Sequence, residues 1–267
     1  MAYYKTLNGI TFLMFDLLSK YSDNLIHFST TRLGTENNDF CMSFYHAEMN
    51  PGNPKFRLML AKAFNISPSQ FVFCRQTHSD NVHIVSDILD DNGFYKKLNA
   101  IQDTDAVVTG NKGICPVALT ADCVPILLYD YENNVISAVH SGWRGSFKMI
   151  LKKTIEIMIN NYNCNSENII CCIGPSAGPC CYEVNDDVLQ VFSKSFKNYK
   201  DFFTKTQYGK YKLDLWKVNH SIAVSCGLKN KNIEVAEICT MCNNETFHSA
   251  RVHAGKAGRM ATGIMIK

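Results

Sequence analysis

"TADCVPILLYDYENNVISAVHSGWRG", residues 120–145, holds two apolar runs of strand length, Val124–Leu128 and Val135–Val139, on either side of the turn sequence "YDYENN". The runs are rich in Val, Ile and Leu, and polar alternation is absent from them, so both read as buried strands. With the apolar residues upstream, "ICPVALTADCVPILLYD" (114–130) and "NVISAVHSGW" (134–143) read as two buried strands joined by that turn. Each carries chemistry at its mouth. Asp122 and Cys123 stand directly before Val124, and His140 closes "ISAVH" ahead of a glycine-rich turn. Strand ends are rigid places from which a side chain can be aimed into a cleft.

Working outward, "LIHFSTTRLG" (25–34) has strand character and ends in a turn. "PGNPKFRLMLAKAFN" (51–65) opens with turn residues and then places Leu58, Leu60, Ala61 and Phe64 at roughly helical spacing. "FVFCRQTHSDNVHIV" (71–85) reads as two short strands around a polar crossing, and "TDAVVTG" (104–110) as a strand closed by glycine. From Ser146, taken as an N-cap, Phe147, Ile150, Leu151, Ile155, Ile157 and Met158 recur at helical intervals. Further on, "NIICCIGPSAG" is strand then turn, and "VNDDVLQVFSKSF" is a helix capped by Asn185 or Asp186. "DLWKVNHSIAVSCGL" is a helix ending at Gly227, and "IEVAEICT" and "AGRMATGIMIK" are strands. Helices and strands interleave without a change of character and without clean βαβ alternation. The expectation is an α/β fold: a single domain over residues 1–267 with mixed, sandwich-like β-sheets flanked by helices.

The 267 residues are enough to bury a sizeable core, and 46% hydrophobic with 19% charged residues is ordinary for a globular chain. A net charge of +3 without a Lys/Arg block argues against nucleic acid or an anionic membrane as partner. The N-terminal apolar patch Ile10–Phe15, bracketed by Lys5 and Asp16, is too short for a signal core or a bilayer span. A soluble, cytoplasmic protein is expected, a monomer or a weak dimer.

Twelve cysteines in a chain read as cytoplasmic are expected to be mostly small buried hydrophobes rather than disulfides. The pairs Cys171–Cys172 and Cys180–Cys181 are not read as chelates, because neighbours along a strand face opposite ways. Cys239 and Cys242 form a lone CxxC without a second pair, so no structural zinc is expected there. Eight histidines include no H-x-H pair. His78, Cys123 and His140 all sit at strand ends. Two imidazoles and a thiolate suit Zn2+, with a fourth position left for water or substrate, provided the fold joins residues this far apart. On residue type alone, three core residues satisfied by hydrogen bonds would look the same.

"CRQTHSDNV", "TDAVVT", "TADCVPILL", "AVHSGWRG" and "IGPSAGPCCYEV" occur in that order, and together they resemble the laccase-domain family, also called the multicopper polyphenol oxidase or peptidoglycan editing factor family. The resemblance runs from about residue 70 to the C-terminus. It implies an α/β fold with mixed sheets and a catalytic zinc on His78, Cys123 and His140. It also implies purine nucleoside phosphorylase and adenosine deaminase activities. Two departures stand out. "FCMSFYHAEMNPGN" replaces the family's "NLGLHVGD", leaving Ser43 in the substrate-lining position, and "FHSARVHAGKAGRMA" keeps Ser249, Arg251 and Arg259 but has Ala250 where an aromatic is common.

Multicopper oxidase chemistry needs paired H-x-H motifs that this chain lacks, although Cu2+ can occupy the same three ligands. Deamination needs a carboxylate to move a proton, for which Asp122 and Glu183 are candidates. Phosphorolysis needs an anion site. "HSGWRGS" supplies Arg144 and the start of the helix expected near Ser146, with Arg75, Arg251 and Arg259 as further substrate-binding candidates. Arg144 reads equally well as a stacking partner of Trp143 or a salt-bridge residue. Cys123 has a second reading, as the nucleophile of a Cys/His amide hydrolase that edits peptidoglycan precursors. The expected partners are a purine nucleoside and phosphate.

Overall fold

A computed structural model describes residues 1–36, 38–43, 54–87 and 91–267. His46 and the turn expected at 51–53 lie outside the described residues. In chain order the strands are β1 (Tyr3–Leu7), β2 (Ile10–Met14), β3 (Leu25–Thr30), β4 (Phe71–Phe73), β5 (Val82–Ile84), β6 (Ala106–Thr109), β7 (Cys115–Thr120), β8 (Val124–Asp130), β9 (Val135–Ser141), β10 (Ile169–Ile173), β11 (Glu183–Val184), β12 (Phe203–Lys205), β13 (Tyr211–Leu213), β14 (Ile233–Val235) and β15 (Met260–Ile266). The α-helices are α1 (Asp16–Ser19), α2 (Lys55–Phe64), α3 (Trp143–Phe147), α4 (Ile150–Tyr162), α5 (Asp186–Ser195), α6 (Leu215–Ser225) and α7 (Ala250–His253).

Two six-stranded sheets, β1-β2-β3-β15-β7-β4 and β14-β10-β8-β9-β6-β5, pack face to face, and β11-β13-β12 forms a small third sheet. Both large sheets are mixed: β4 runs parallel to β7, β5 to β6 and β14 to β10, while the other pairs are antiparallel. Leu127 and Tyr129 of β8 point between the sheets toward Ala118 and Ile264. Val124, Ile126 and Leu128, one residue out of phase, point into the layer of α4, α5 and α6. With both faces covered, β8 and β9 have no solvent side, which explains their unbroken apolar sequence. On the far side, α2 covers the first sheet over Phe12, Phe28 and Phe71. The layers run helix, sheet, sheet, helix.

Five local expectations are corrected. The stretch 114–130 is two strands, because the chain turns at Asp122 (φ 85°) and passes from the first sheet to the second. The helix expected from Ser146 begins earlier: α3 starts at Trp143, the Ser146 amide already donates to the Gly142 carbonyl (2.8 Å), and Met149 (φ 64°) breaks the helix before α4. In α2, Leu58 faces solvent and Arg57 is buried, because the guanidinium donates to the carbonyls of Met42, Gly93 and Phe94 and lies over the Phe73 ring. "IEVAEICT" stays extended only through Val235, since Glu237 takes a left-handed turn (φ 54°). Cysteine pairing is the fifth. Cys171 and Cys172 on β10 face different cores, as alternation demands, but Cys180 and Cys181 sit on a turn, and both sulfurs approach Cys242.

Candidate metal centre

β8 and β9 are antiparallel with Pro125 opposite His140, so the start of one lies beside the end of the other, and Cys123 adjoins His140. β6 pairs with β9 with Ala106 opposite Val139, which sets Asp105 against His140; the His140 amide donates to the Asp105 carbonyl at 2.7 Å. β5 follows in parallel register, and the loop leading into it carries His78. Strand order β8-β9-β6-β5 thereby collects Cys123, His140, Asp105 and His78 at one end of a single sheet.

Asp105 organises the loop. Its carboxylate accepts from the backbone amides of Thr77 (3.1 Å), His78 (3.1 Å) and Ser79 (2.8 Å), and from the Ser79 hydroxyl at 2.6 Å. These bonds hold His78 in a left-handed conformation (φ 61°) that a histidine seldom adopts without such support. Asp105 also accepts from His140 Nδ1 at 2.7 Å, which leaves Nε2 as the free donor atom.

Donor atoms of His78, Cys123 and His140 lie within 4.8 Å of one another, with Cys123 Sγ 3.7 Å from His78 Nε2. Zinc–sulfur and zinc–nitrogen bonds at a tetrahedral angle require a separation of about 3.6 Å. The set therefore fits a metal ion, with two imidazoles and one thiol as donors and a carboxylate behind one imidazole. Electrostatics agree. Burial opposes ionisation of Cys123, but His140 and His78 outweigh it and lower the thiol's pKa. Burial likewise opposes charge on His140, but Cys123 and Asp105 raise its pKa. A thiolate is already favoured where a cation would bind. Gly142 is part of this fit: a Cβ there would sit 2.9 Å from Cys123 Sγ and 3.2 Å from His78 Cδ2.

The donors open onto a cavity of about 810 Å³. Ser43, Arg75, Asp122, Arg251 and Arg259 line it, as do Trp143, Tyr182 and Leu119. Asp122 Oδ1 accepts from the Thr240 hydroxyl (2.6 Å) and Oδ2 from the Arg251 amide (2.7 Å). The Arg251 side chain lies over the Tyr182 ring and donates to the Glu183 carbonyl, while Arg259 donates to the carbonyls of Ala257 and Gly258. Arg75 bonds Gln102. Two candidates fall outside the lining: Glu183, whose carboxylate pairs with Lys210 at 2.9 Å, and Arg144, which stacks on Trp143 with its Cζ 4.3 Å from the ring centre. Asp105, Gly142 and Thr240 do not stand out in the sequence; the polar start of the strand "TDAVVT" is the one signal that points to Asp105.

A family model described as multi-copper polyphenol oxidoreductase laccase matches residues 30–267. A purine nucleoside phosphorylase of Bacteroides thetaiotaomicron is 32% identical over 257 residues, covering 94% of this chain and 95% of that protein. The adenosine deaminase RL5, from an unknown prokaryotic organism, is 33% identical over 212 residues, covering 79% and 80% of the two chains. Among solved structures, the Bacillus licheniformis hypothetical protein YfiH superposes with a TM-score of 0.90 at 27% identity over 99% of both chains.

Proposed function

The chain belongs to the multi-copper polyphenol oxidoreductase laccase family, and on that footing we propose that it is a zinc-dependent purine nucleoside phosphorylase with adenosine deaminase activity. Adenosine, inosine and methylthioadenosine are its candidate substrates. One observation carries the reading: a three-donor His/Cys/His centre, backed by Asp105, at the wall of a cavity that also presents Arg75, Arg251 and Arg259. Relatives named for both activities agree with it. The family's oxidase name fits this chain poorly, because eight histidines without an H-x-H pair do not assemble a multicopper cluster. Cu2+ remains able to take the same three ligands.

His78, Cys123 and His140 would hold the zinc, which would supply the Lewis acidity that makes water a competent nucleophile near neutral pH. Asp105 fixes the His140 ring through Nδ1 and holds the His78 loop, so two ligands depend on one carboxylate. The arginines make the cavity attractive to phosphate, and the apolar faces of Trp143, Tyr182 and Leu119 suit a flat base. Of the two carboxylates considered for proton transfer, Asp122 lines the cavity and takes that role, while its bonds to Thr240 and the Arg251 amide keep both segments in place. Glu183 and Arg144 have no direct part.

Purified protein incubated with adenosine tests this. Adenine formed only when phosphate is present and inosine formed without it are the expected products. Neither product from zinc-loaded protein would refute the assignment. His78→Ala, Cys123→Ala and His140→Ala should each lose both products together with the zinc of this site; an inactive variant with the same zinc content as wild type would count against the ligand set.

A second reading rests on a specific contact. Cys123, His140 and Asp105 are linked as thiol, imidazole and carboxylate, the arrangement of a cysteine amide hydrolase. Release of an amino acid from a peptidoglycan precursor by zinc-free protein would favour it.

A further inference from the structure

Four sulfurs outside the centre above gather at another point. Cys180 and Cys181 lie on the turn after Gly178, where the Cys181 and Tyr182 amides both donate to the Gly178 carbonyl. Cys239 and Cys242 lie on a second turn, in which the Asn243 amide closes onto the Cys239 carbonyl at 3.0 Å. The two turns are stitched by backbone bonds, Thr240 to Ser176 (2.9 Å) and Ser176 to Ile238 (3.2 Å). All four Sγ atoms lie within 4.8 Å of one another, with Cys242 3.5 Å from Cys180 and 3.3 Å from Cys181. Four sulfurs around one zinc at its usual bond length stand about 3.8 Å apart, so these two spacings fall a few tenths of an ångström short of that value and all four sulfurs lie within reach of one ion.

We propose that Cys180, Cys181, Cys239 and Cys242 form a second, closed zinc site of tetrathiolate type. Two further features point the same way. The Gly178 amide donates to Cys239 Sγ at 3.3 Å, and the amides of Cys242 and Met241 are also directed at it, the kind of N–H···S support that steadies a thiolate ligand. Lys212, which donates to the Cys180 carbonyl, sits near enough to offset part of the negative charge of four thiolates. Borderline-soft, tetrahedral Zn2+ is the ion that this donor set selects. With four protein ligands no position remains for substrate, so the site is structural.

Its placement gives it a consequence. Tyr182 follows Cys181 and carries Arg251 on its ring, and Thr240 follows Cys239 and bonds Asp122. A zinc clamp between the two turns therefore fixes one wall of the cavity. The site stands whatever reaction occurs there.

Metal analysis of the full chain purified under reducing conditions tests the idea. Wild type should hold two zinc ions per chain, Cys239→Ser/Cys242→Ser one, and His78→Ala/His140→Ala one. X-ray absorption of the histidine variant should show zinc bound by sulfur alone. That variant keeps the proposal falsifiable if the serine variant fails to fold. Zinc content that disappears entirely in the histidine variant would overturn it. So would peptide mapping that finds Cys181 and Cys242 joined as a disulfide in the purified protein.

Discussion

Asp105 touches both the His78 loop and the His140 ring, so a single carboxylate governs two of the three donors. Asp105→Asn keeps the shape but removes the charge and turns one acceptor into a donor facing other donors. Zinc affinity at the first site should fall about 10–100-fold, read by competition with a chromophoric chelator. Unpaired amides in the His78 loop should also lower stability by about 1–3 kcal/mol in urea titrations. Gly142→Ala makes the complementary test. Its methyl would stand 2.9 Å from Cys123 Sγ, so the thiol must move, and zinc retention should drop while the circular dichroism spectrum is kept. Unchanged affinity in this variant would mean that the donors do not use the geometry described.

Among the elements, the β8–β9 pair carries the site, and its register is held by packing rather than by polar alternation, because a slip of one residue would exchange the side chains of the inter-sheet core for those of the helix-facing core along the whole strand. α6 supports the neighbouring wall. Asp214 caps it by accepting from the Lys217 amide at 2.9 Å, and Trp216 in its first turn donates to Ser176 at 2.6 Å beside the tetrathiol cluster. Asp214→Ala should cost about 0.5–2 kcal/mol of stability by urea denaturation. A cost near zero would show that α6 is held by packing alone. Gly178 is required at the same place, since a Cβ would come within 2.6 Å of the Trp216 ring.

At the scale of the whole molecule, two buried histidines set an acid limit. Burial is the main cause that pushes His27 and His248 down from 6.5 to about 4. His27 Nε2 must be unprotonated to accept from the Phe15 amide at 2.9 Å. Unfolded, each would take up a proton near its ordinary pKa, so between pH 6.5 and 4 the unfolded chain binds more protons than the native one. Stability from these residues is complete above pH 6.5 and is lost as pH falls toward 4, by on the order of 3 kcal/mol for each. His27→Gln should flatten the fall in urea midpoint between pH 7 and pH 4.5; parallel curves for variant and wild type would refute the attribution. Among the described residues no helix is long and apolar enough to cross a membrane.

Sequence by itself determined which strands are buried on both faces and singled out three side chains that the fold brings together. Unbroken apolar runs at β8 and β9 demand cover on both faces, and the motifs around His78, Cys123 and His140 mark strand ends that bear chemistry. Spacing could not join those three residues, because proximity across a sheet depends on strand order and register, which act between segments distant in the chain. Asp105 was hidden for the same reason: its partners lie 27 and 35 residues away. Cys180, Cys181, Cys239 and Cys242 show the limit most plainly. Alternation along a strand separates adjacent cysteines, but a turn does not alternate, and only the tertiary fold lays one turn against the other.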